Sequence, residues 1–303
     1  MQPIPIVYEE PHFLLVNKPA ALFSQAPTGI DSLQARLIAQ LKARDQHPGE
    51  PFVGLPHRLD RGTSGIMLIA RNQRALKRFG QQFQSRKVIK HYLAVVEGIP
   101  AIADGALEMG TSAASPLHPQ QRIEPQQEQR WEDYLRKIPD QPQAEIVTAE
   151  AAGGKLAVAR VECLQSVPDV GESGQSLLRI QLETGRMHQI RIQAASRGLP
   201  VVGDASYGAK LTWRGSATAS AASPAAVAAV PEETPAAGLL TAAGLLTAAG
   251  DDAAHAHPPI ALHAWSLEFR HPQTAKVMRF VAPVPAHWHQ LPGELIACIS
   301  ELT

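Results

Sequence analysis

Cysteine, aromatic residues and net charge are all scarce in this chain. Only two cysteines occur in 303 residues, Cys163 and Cys298, and they lack a metal-ligand spacing, which predicts a reduced, cytoplasmic protein. Aromatic residues make up 5% of the sequence. Lys plus Arg equals Asp plus Glu at 28 each, and a formal charge of zero by itself argues against a nucleic-acid partner.

Long apolar runs are absent as well. No run approaches the roughly 18 residues that a membrane helix needs, and the N-terminus lacks a basic region followed by an apolar one. The sequence therefore predicts a soluble, unexported protein without a membrane partner. Its length of 303 residues and hydrophobic content of 45% are sufficient for a large core.

Basic residues are concentrated in one segment of this neutral chain. Between His57 and Gly98, nine basic residues face only two acidic ones, Asp60 and Glu97. The nine are Arg58, Arg61, Arg71, Arg74, Lys77, Arg78, Arg86, Lys87 and Lys90. Such local excess of positive charge is typical of a surface that contacts nucleic acid, whatever the total charge.

The centre of this segment is the stretch from His57 to Gly65, in which Asp60 stands between two arginines. Gly, Thr, Ser and Gly follow, and then an apolar run from Ile66 to Ala70, which predicts a charged loop leading into a buried strand. A nearby guanidinium favours the ionised form of a partly desolvated carboxylate, which can act as nucleophile or general base. The alternative is that Asp60 caps a turn beside solvated arginines.

Five motifs resemble those of one enzyme family, in the same order. The stretch from His57 resembles the HRLDxxTSG signature of the RluA-type RNA pseudouridine synthases. Asn17-Lys18-Pro19 resembles NKPxG with Ala21 in place of the glycine, and residues 90–98 fit KxYxAxVxG. Residues 185–193 match GRxHQIRxQ with Met187 where threonine is common, and residues 202–208 match VGDxxYG, which we interpret as structural.

The resemblance implies a fold and an activity. The fold is α+β: a single pseudouridine synthase domain with a long, mixed, mostly antiparallel sheet, flanking helices and a central active-site cleft. The activity is conversion of uridine to pseudouridine in RNA, without a metal or an organic cofactor. Ribosomal RNA is the first expectation for the substrate and transfer RNA the second. Because residues 1–56 already match the catalytic domain, no N-terminal S4-type RNA-binding domain is expected, and a monomer is the default.

Residue roles follow from the resemblance by position. Asp60 is the expected catalytic residue and Arg191 its guanidinium partner. Arg58 would fill the space vacated by a flipped base, and Tyr92 would pack against that base, although a half-buried sheet tyrosine is the alternative interpretation. Further RNA contacts are expected at Lys18, Arg61, Arg71, Arg74, Arg78 and Arg186. For the helical arginines, a merely solvated face is the alternative.

The sequence also predicts the main elements. Ser32 and Asn72 are expected to cap two helices, and a third helix is expected to run from about Gly185 to Arg197. Residues 103–153 form a Gln/Pro-rich insertion with one short helix from Trp131 to Arg136. Residues 216–257 form an Ala/Gly-rich insertion of low complexity that is expected to be disordered.

Three alternatives remain open from the sequence. The chain could be an RNA-binding protein that retains the fold without catalysis. It could be a glycosidase-type hydrolase in which Asp60 pairs with a second carboxylate such as Glu183, roughly 5–10 Å away. His255, His257 and His263 have a spacing that a metal could use, but no Cys or carboxylate completes the set, so a polar loop pair is expected.

Overall fold

The computed structural model describes residues 2–46, 48–100, 128–168, 174–211 and 259–302. Its ten strands are β1 Ile6–Glu9, β2 Phe13–Lys18, β3 Ser64–Ala70, β4 Ile89–Glu97, β5 Gln129–Lys137, β6 Ala144–Val147, β7 Lys155–Val167, β8 Gln175–Leu182, β9 Leu262–Arg270 and β10 Val277–Val281. They form one sheet in the order β1-β2-β3-β9-β4-β8-β7-β5-β6, and β10 pairs with β9.

The sheet is mixed and mostly antiparallel, as the resemblance implied. The pair β3–β9 is parallel, and the other strand pairs of the described residues are antiparallel. The parallel pair joins residues almost 200 positions apart, with Ser64 opposite His263 and Gly65 opposite Ala264. This pairing brings β9 against the strand that follows the Asp60 loop.

Four helices flank the sheet in the described residues: α1 Leu33–Arg44, α2 Gln73–Gln84, α3 Gln189–Ala195 and α4 Gly293–Glu301. The two predicted caps are confirmed, because the Ser32 side chain accepts from the Ala35 amide at 3.2 Å and Asn72 Oδ1 accepts from the Ala75 amide at 2.8 Å. None of these helices is long and apolar enough to cross a membrane.

The core lies where β2, β3 and β9 meet α2. All seven residues of β3 are buried, which explains its unbroken apolar sequence. The ring of Phe13 packs edge-on against Phe79 at 5.5 Å and against Phe269 at 5.4 Å between centroids. Aromatic edge-to-face packing of this kind joins α2 to the sheet at the end of β3 where Phe13 pairs with Ala70.

The helix predicted from Trp131 to Arg136 is wrong. These residues lie in β5, which pairs with both β6 and β7. Trp131 and Leu135 are buried while Glu132 is exposed, and this alternation is that of a strand with one covered face. The remainder of the predicted insertion divides into two parts: residues 138–153 include β6 and its turns, whereas residues 103–127 lie outside the described residues, as does the segment 216–257.

The third helix is shorter than predicted. It begins at Gln189 and ends at Ala195, so it neither starts near Gly185 nor reaches Arg197. His188 adopts a left-handed backbone conformation with φ of 52° and ψ of 26°, which interrupts the helix on its N-terminal side. This residue consequently projects from a turn at the end of β8 and not from a helical face.

Candidate active site

Asp60 lies in the loop that precedes β3. The loop closes with a turn in which the Thr63 amide donates to the Asp60 carbonyl at 3.1 Å. Gly65 then has φ of 119°, and a Cβ atom on it would lie 2.3 Å from the carbonyl oxygen of Ala264. Only glycine permits this close approach of β3 to β9. The Asp60 side chain is left 33% exposed at the mouth of the strand.

Two side chains, the buried Ser24 and the half-buried His57, fix the ends of this loop. The Ser24 hydroxyl accepts from the Leu59 amide at 3.0 Å and donates to the Leu59 carbonyl at 2.7 Å. His57 Nε2 accepts from the Leu68 amide at 3.0 Å, and its ring stacks on Phe83 with centroids 4.6 Å apart. Burial lowers the pKa of His57 to about 3, so the imidazole is neutral and remains an acceptor.

Lys18 also stabilises the backbone of this part of the molecule. Its side chain is fully buried, and Nζ donates to the carbonyls of Pro19 at 2.9 Å, Leu22 at 2.7 Å and Arg61 at 3.4 Å. Burial lowers the pKa of Lys18 to about 7, against the opposing effect of Asp60. Because no phosphate can reach an ammonium group that is already enclosed by carbonyls, its burial contradicts the prediction that Lys18 contacts RNA.

Arg191 lies between two aspartates. Its Nη1 is 3.7 Å from Asp60 Oδ2, while Nε and Nη2 donate to the two carboxylate oxygens of Asp204 at 2.6 and 2.8 Å. Burial works to lower the pKa of Arg191, but the hydrogen bonds and charge of Asp204, with help from Asp60, raise it. The guanidinium is therefore charged, held firmly by Asp204, and directed towards Asp60 with its free nitrogen.

His188 and Tyr207 complete this side of the site, and the sequence interpretation gave neither a role. His188 Nδ1 lies 3.0 Å from the Tyr207 hydroxyl, and its Nε2 lies 3.9 Å from Asp60 Oδ2. The Tyr207 hydroxyl also accepts from the Ala144 amide at 2.9 Å, and Arg191 stacks over its ring at 4.9 Å. The motif VGDxxYG, interpreted as structural, thus supplies the two residues that hold Arg191 and His188.

Tyr92 lies on β4 in the middle of the sheet. Its side chain is 8% exposed. Burial raises the pKa of the phenol, and the negative charge of the nearby Asp60 raises it further, so the ring is neutral. A neutral aromatic surface beside a carboxylate is suited to packing against a flat, uncharged base.

The other six residues predicted to contact RNA are arginines, which differ in their exposure and in their hydrogen-bond and ion-pair partners. Arg58 and Arg74 are exposed. Arg71 forms ion pairs with Glu9 at 2.6 Å and Asp45 at 3.5 Å. The other three contact carbonyl groups: Arg61 with Ala21, Arg78 with Pro272 and Arg186 with Leu156. Among these six arginines, Arg58 and Arg74 are the two without an ion pair or a carbonyl contact to the described residues.

Glu183, the second carboxylate considered for a hydrolase, forms an ion pair with Arg160 at 2.7 Å. The basic groups within 4 Å of the Asp60 carboxylate in the described residues are His188 and Arg191. Asp204 is the carboxylate that shares a partner with Asp60, but both of its oxygens are occupied by Arg191. His263, one of the three histidines with a metal-like spacing, is buried against the Ser64 hydroxyl at 2.8 Å. The other two lie outside the described ranges, within which no cluster of metal ligands occurs.

Sequence comparison identifies the relatives of the chain. The profile of the RNA pseudouridylate synthase family matches residues 12–196, more than half of the chain. Ribosomal large subunit pseudouridine synthase D of Xanthomonas campestris is 29% identical over 296 residues, which cover 97% of this chain and 70% of that protein. The protein of the same name from Xylella fastidiosa is 30% identical, with coverage of 95% and 68%.

Solved structures confirm the fold. Human RNA pseudouridylate synthase domain containing 4 superposes with a TM-score of 0.59 at 17% identity, over 95% of both chains. The human domain-containing 1 protein gives a TM-score of 0.56 at 20% identity, over 99% of this chain and 98% of the other. With sheet, motifs and relatives in agreement, the chain belongs to the RNA pseudouridylate synthase family, as an RluA-type enzyme that isomerises uridine in RNA to pseudouridine.

Proposed function

We propose that the chain acts on large-subunit ribosomal RNA, with Asp60 as the catalytic residue, either nucleophile or base, at the ribose of the target uridine. The names of the relatives from Xanthomonas campestris and Xylella fastidiosa, both ribosomal large subunit pseudouridine synthases, support this substrate. Transfer RNA is the second candidate target. A cytoplasmic location and a monomeric state belong to the same proposal, and two free cysteines are compatible with a reduced compartment.

Pseudouridine is an isomer of uridine, so the reaction adds and removes no atoms overall. The bond between C1′ of the ribose and N1 of uracil breaks, and a bond between C1′ and C5 forms. C5 loses its proton and N1 gains one, so that protons balance over the cycle. The base must rotate between these steps, which requires the nucleotide to leave its stack and enter a pocket.

Asp60 can start this sequence in either of two ways. It can attack C1′ as a nucleophile and form an ester that C5 later displaces, or it can remove the proton from C2′ as a base. Both routes need an ionised carboxylate close to the sugar. The charged Arg191, 3.7 Å away, lies where it can orient that carboxylate.

Two further residues would take part in base flipping. Tyr92, neutral and buried beside Asp60, would pack against the free uracil while it turns. Arg58 is exposed on the same loop as Asp60 and would occupy the space that the uridine leaves in the RNA. Guanidinium planes are suited to this exchange because they stack on bases and pair with phosphates.

The observation that carries the proposal is the carboxylate of Asp60, partly exposed at the mouth of a buried strand and faced by the fixed guanidinium of Arg191. The first test maps pseudouridine in total RNA from wild-type cells, a deletion strain, and the deletion strain carrying Asp60→Ala. We expect one or more ribosomal sites to disappear in the deletion and to stay absent with Asp60→Ala. Loss of transfer RNA sites alone would refute the ribosomal substrate.

The second test uses purified protein and a transcript labelled with tritium at C5 of uridine. Formation of pseudouridine releases this tritium to water. Asp60→Asn should lower the rate at least about 100-fold, the smaller end of what a positioned acid or base contributes, whereas Glu183→Gln should leave it unchanged. Release of free uracil, with dependence on Glu183, would support a hydrolase. RNA binding without tritium release would support a non-catalytic protein.

A further inference from the structure

An exposed aromatic side chain lies beside the loop of Asp60. Phe23 keeps 37% of its surface exposed, in the connection between β2 and α1. Its backbone is tied to the start of α1, because its carbonyl accepts from the Leu33 amide at 2.8 Å. The next residue, Ser24, makes the two hydrogen bonds to Leu59 that fix the active-site loop. The chain at Phe23 is thus joined to the residue that precedes Asp60.

A guanidinium group covers one side of this ring. Arg61, the residue after Asp60, places its guanidinium carbon 4.6 Å from the centre of the Phe23 ring. Its Nε donates to the Ala21 carbonyl at 3.2 Å, which holds the guanidinium in place over the ring. The described residues contain three such contacts between arginine and an aromatic ring, and the other two involve the half-buried Tyr207 and the buried Trp131.

The exposed Phe23 ring can replace the stacking partner that a base loses when the neighbouring uridine flips out. When a nucleotide leaves its stack, the neighbouring base loses a stacking partner, and this unstacking costs a few kcal/mol. Aromatic rings and guanidinium planes both replace such a partner, without preference for one base. A pair already fixed by hydrogen bonds loses little conformational entropy when the base arrives.

We propose that Phe23 and Arg61 form a stacking platform for the nucleobase next to the target uridine in the RNA strand. The inference rests on the proposed function for its choice of ligand, since it takes the occupant to be an unpaired base of the same RNA. Two chemical features favour that occupant: the positive charge over the ring attracts the adjacent phosphate, and the ring supplies an apolar flat surface.

The test combines a protein change with an RNA change. The RNA is a synthetic stem-loop with the uridine identified by the mapping experiment, labelled with tritium at C5. Two further versions lack the base of the nucleotide before or after the target. The proteins are the wild type, Phe23→Leu, and Phe52→Leu as the control, because Phe52 has the same 37% exposure but lies next to Gly54, which pairs with the far end of β3 at Ala70.

With intact RNA, Phe23→Leu should lower kcat/KM about ten-fold, within the range that stacking of one base on an aromatic residue supplies. Removing the neighbouring base on one side should cost the wild type a similar factor and cost Phe23→Leu nothing further. Phe52→Leu should behave as the wild type with all three RNAs. The loss in Phe23→Leu should appear mainly in KM, since the platform does not touch the reacting atoms.

Two outcomes would overturn the platform. One is a Phe23→Leu enzyme as active as the wild type, and the other is a base-removal effect that persists at full size in Phe23→Leu. A binding measurement separates failure of the platform from failure of the proposed chemistry. It compares the affinity of the fluorescein-labelled stem-loop for Asp60→Asn with its affinity for the double variant Asp60→Asn/Phe23→Leu. If the wild-type protein released no tritium, the proposed chemistry would be refuted. A ten-fold lower affinity of the double variant than of Asp60→Asn would still support the platform.

Discussion

Asp204→Asn is the substitution that most directly tests how the site is held together. Asp204 is 2% exposed, and its two oxygens receive hydrogen bonds from Nε and Nη2 of Arg191 at 2.6 and 2.8 Å. Asparagine keeps the shape and one acceptor oxygen but removes the charge and the second acceptor. The change therefore isolates the ion pair from the packing around it.

The expected stability loss follows from the burial of the pair. Breaking a buried ion pair costs about 3–5 kcal/mol, and the retained acceptor of asparagine places the loss near about 3 kcal/mol. With a urea dependence of about 3 kcal/mol per molar, the unfolding midpoint should fall by about 1 M. Asp31→Asn is the matched control, because Asp31 pairs with Arg36 at the surface, where loss of a pair costs less than about 1 kcal/mol.

The expected activity loss follows from the link to Asp60. Two unit charges 3.7 Å apart, as in Arg191 and Asp60, attract by about 4 kcal/mol at an effective dielectric constant of about 20. Because Asp60 is 33% exposed, solvent screening reduces this to about 2 kcal/mol. An Arg191 released from Asp204 should thus lower kcat/KM about 30-fold, measured by tritium release. Full activity in a destabilised Asp204→Asn would show that Arg191 keeps its position without Asp204, and would refute this reasoning.

Three further predictions concern the loop around Asp60. The pKa of Lys18 falls from about 10.5 in the unfolded chain to about 7 in the folded protein, so between these pH values the unfolded state binds more protons. The free energy of unfolding should therefore rise with pH in this window, by up to about 1.4 kcal/mol per pH unit. Urea titrations at pH 7 and 9 measure this rise, which Lys18→Met should lack. Ala21 has φ of 63°, which costs alanine about 1–2 kcal/mol, so Ala21→Gly should stabilise the protein by up to about 1 kcal/mol in the same assay, whereas Ala20→Gly should destabilise it. Gly65→Ala should abolish folding or lower the stability by more than about 4 kcal/mol, because its Cβ would clash with the backbone of β9. Gly80→Ala in α2, where the added Cβ meets open space, should raise the stability by about 0.5–1 kcal/mol. Unfolding followed by circular dichroism measures both changes.

Short-range patterns predicted the local structure because their causes are local. A side chain that caps a helix acts on an amide three residues away, so Ser32 and Asn72 could be identified from sequence alone. The segment from Trp131 was misinterpreted for a related reason. Trp131 and Leu135 are four positions apart, a spacing compatible with one helical face and equally with one strand face. Pairing with β7, whose partner residues are twenty or more positions away, decides between them.

The site itself was only partly predictable. The motif around Asp60 and the resemblance to the family located the carboxylate and a guanidinium beside it. No spacing rule indicates that Arg191 makes its closest contacts with Asp204, or that His188 lies against Tyr207, because both pairs form only when the turn after α3 folds back on the sheet. The basic residue of the NKP motif was misjudged because charge is visible in a sequence whereas burial is not, and Lys18 is fully buried.

The contacts around Asp60 divide into tight ones that hold the backbone and loose ones that face the carboxylate. Lys18, Ser24 and His57 hold the loop backbone and its strand with several hydrogen bonds of 2.7–3.0 Å. The carboxylate has neighbouring nitrogens at 3.7 and 3.9 Å, beyond hydrogen-bond length. A catalytic group that must exchange its partners for a ribose loses little when those partners are distant, whereas its position must not vary. Substitutions that loosen the backbone contacts should therefore lower kcat, and those that tighten a contact to the carboxylate should do so as well.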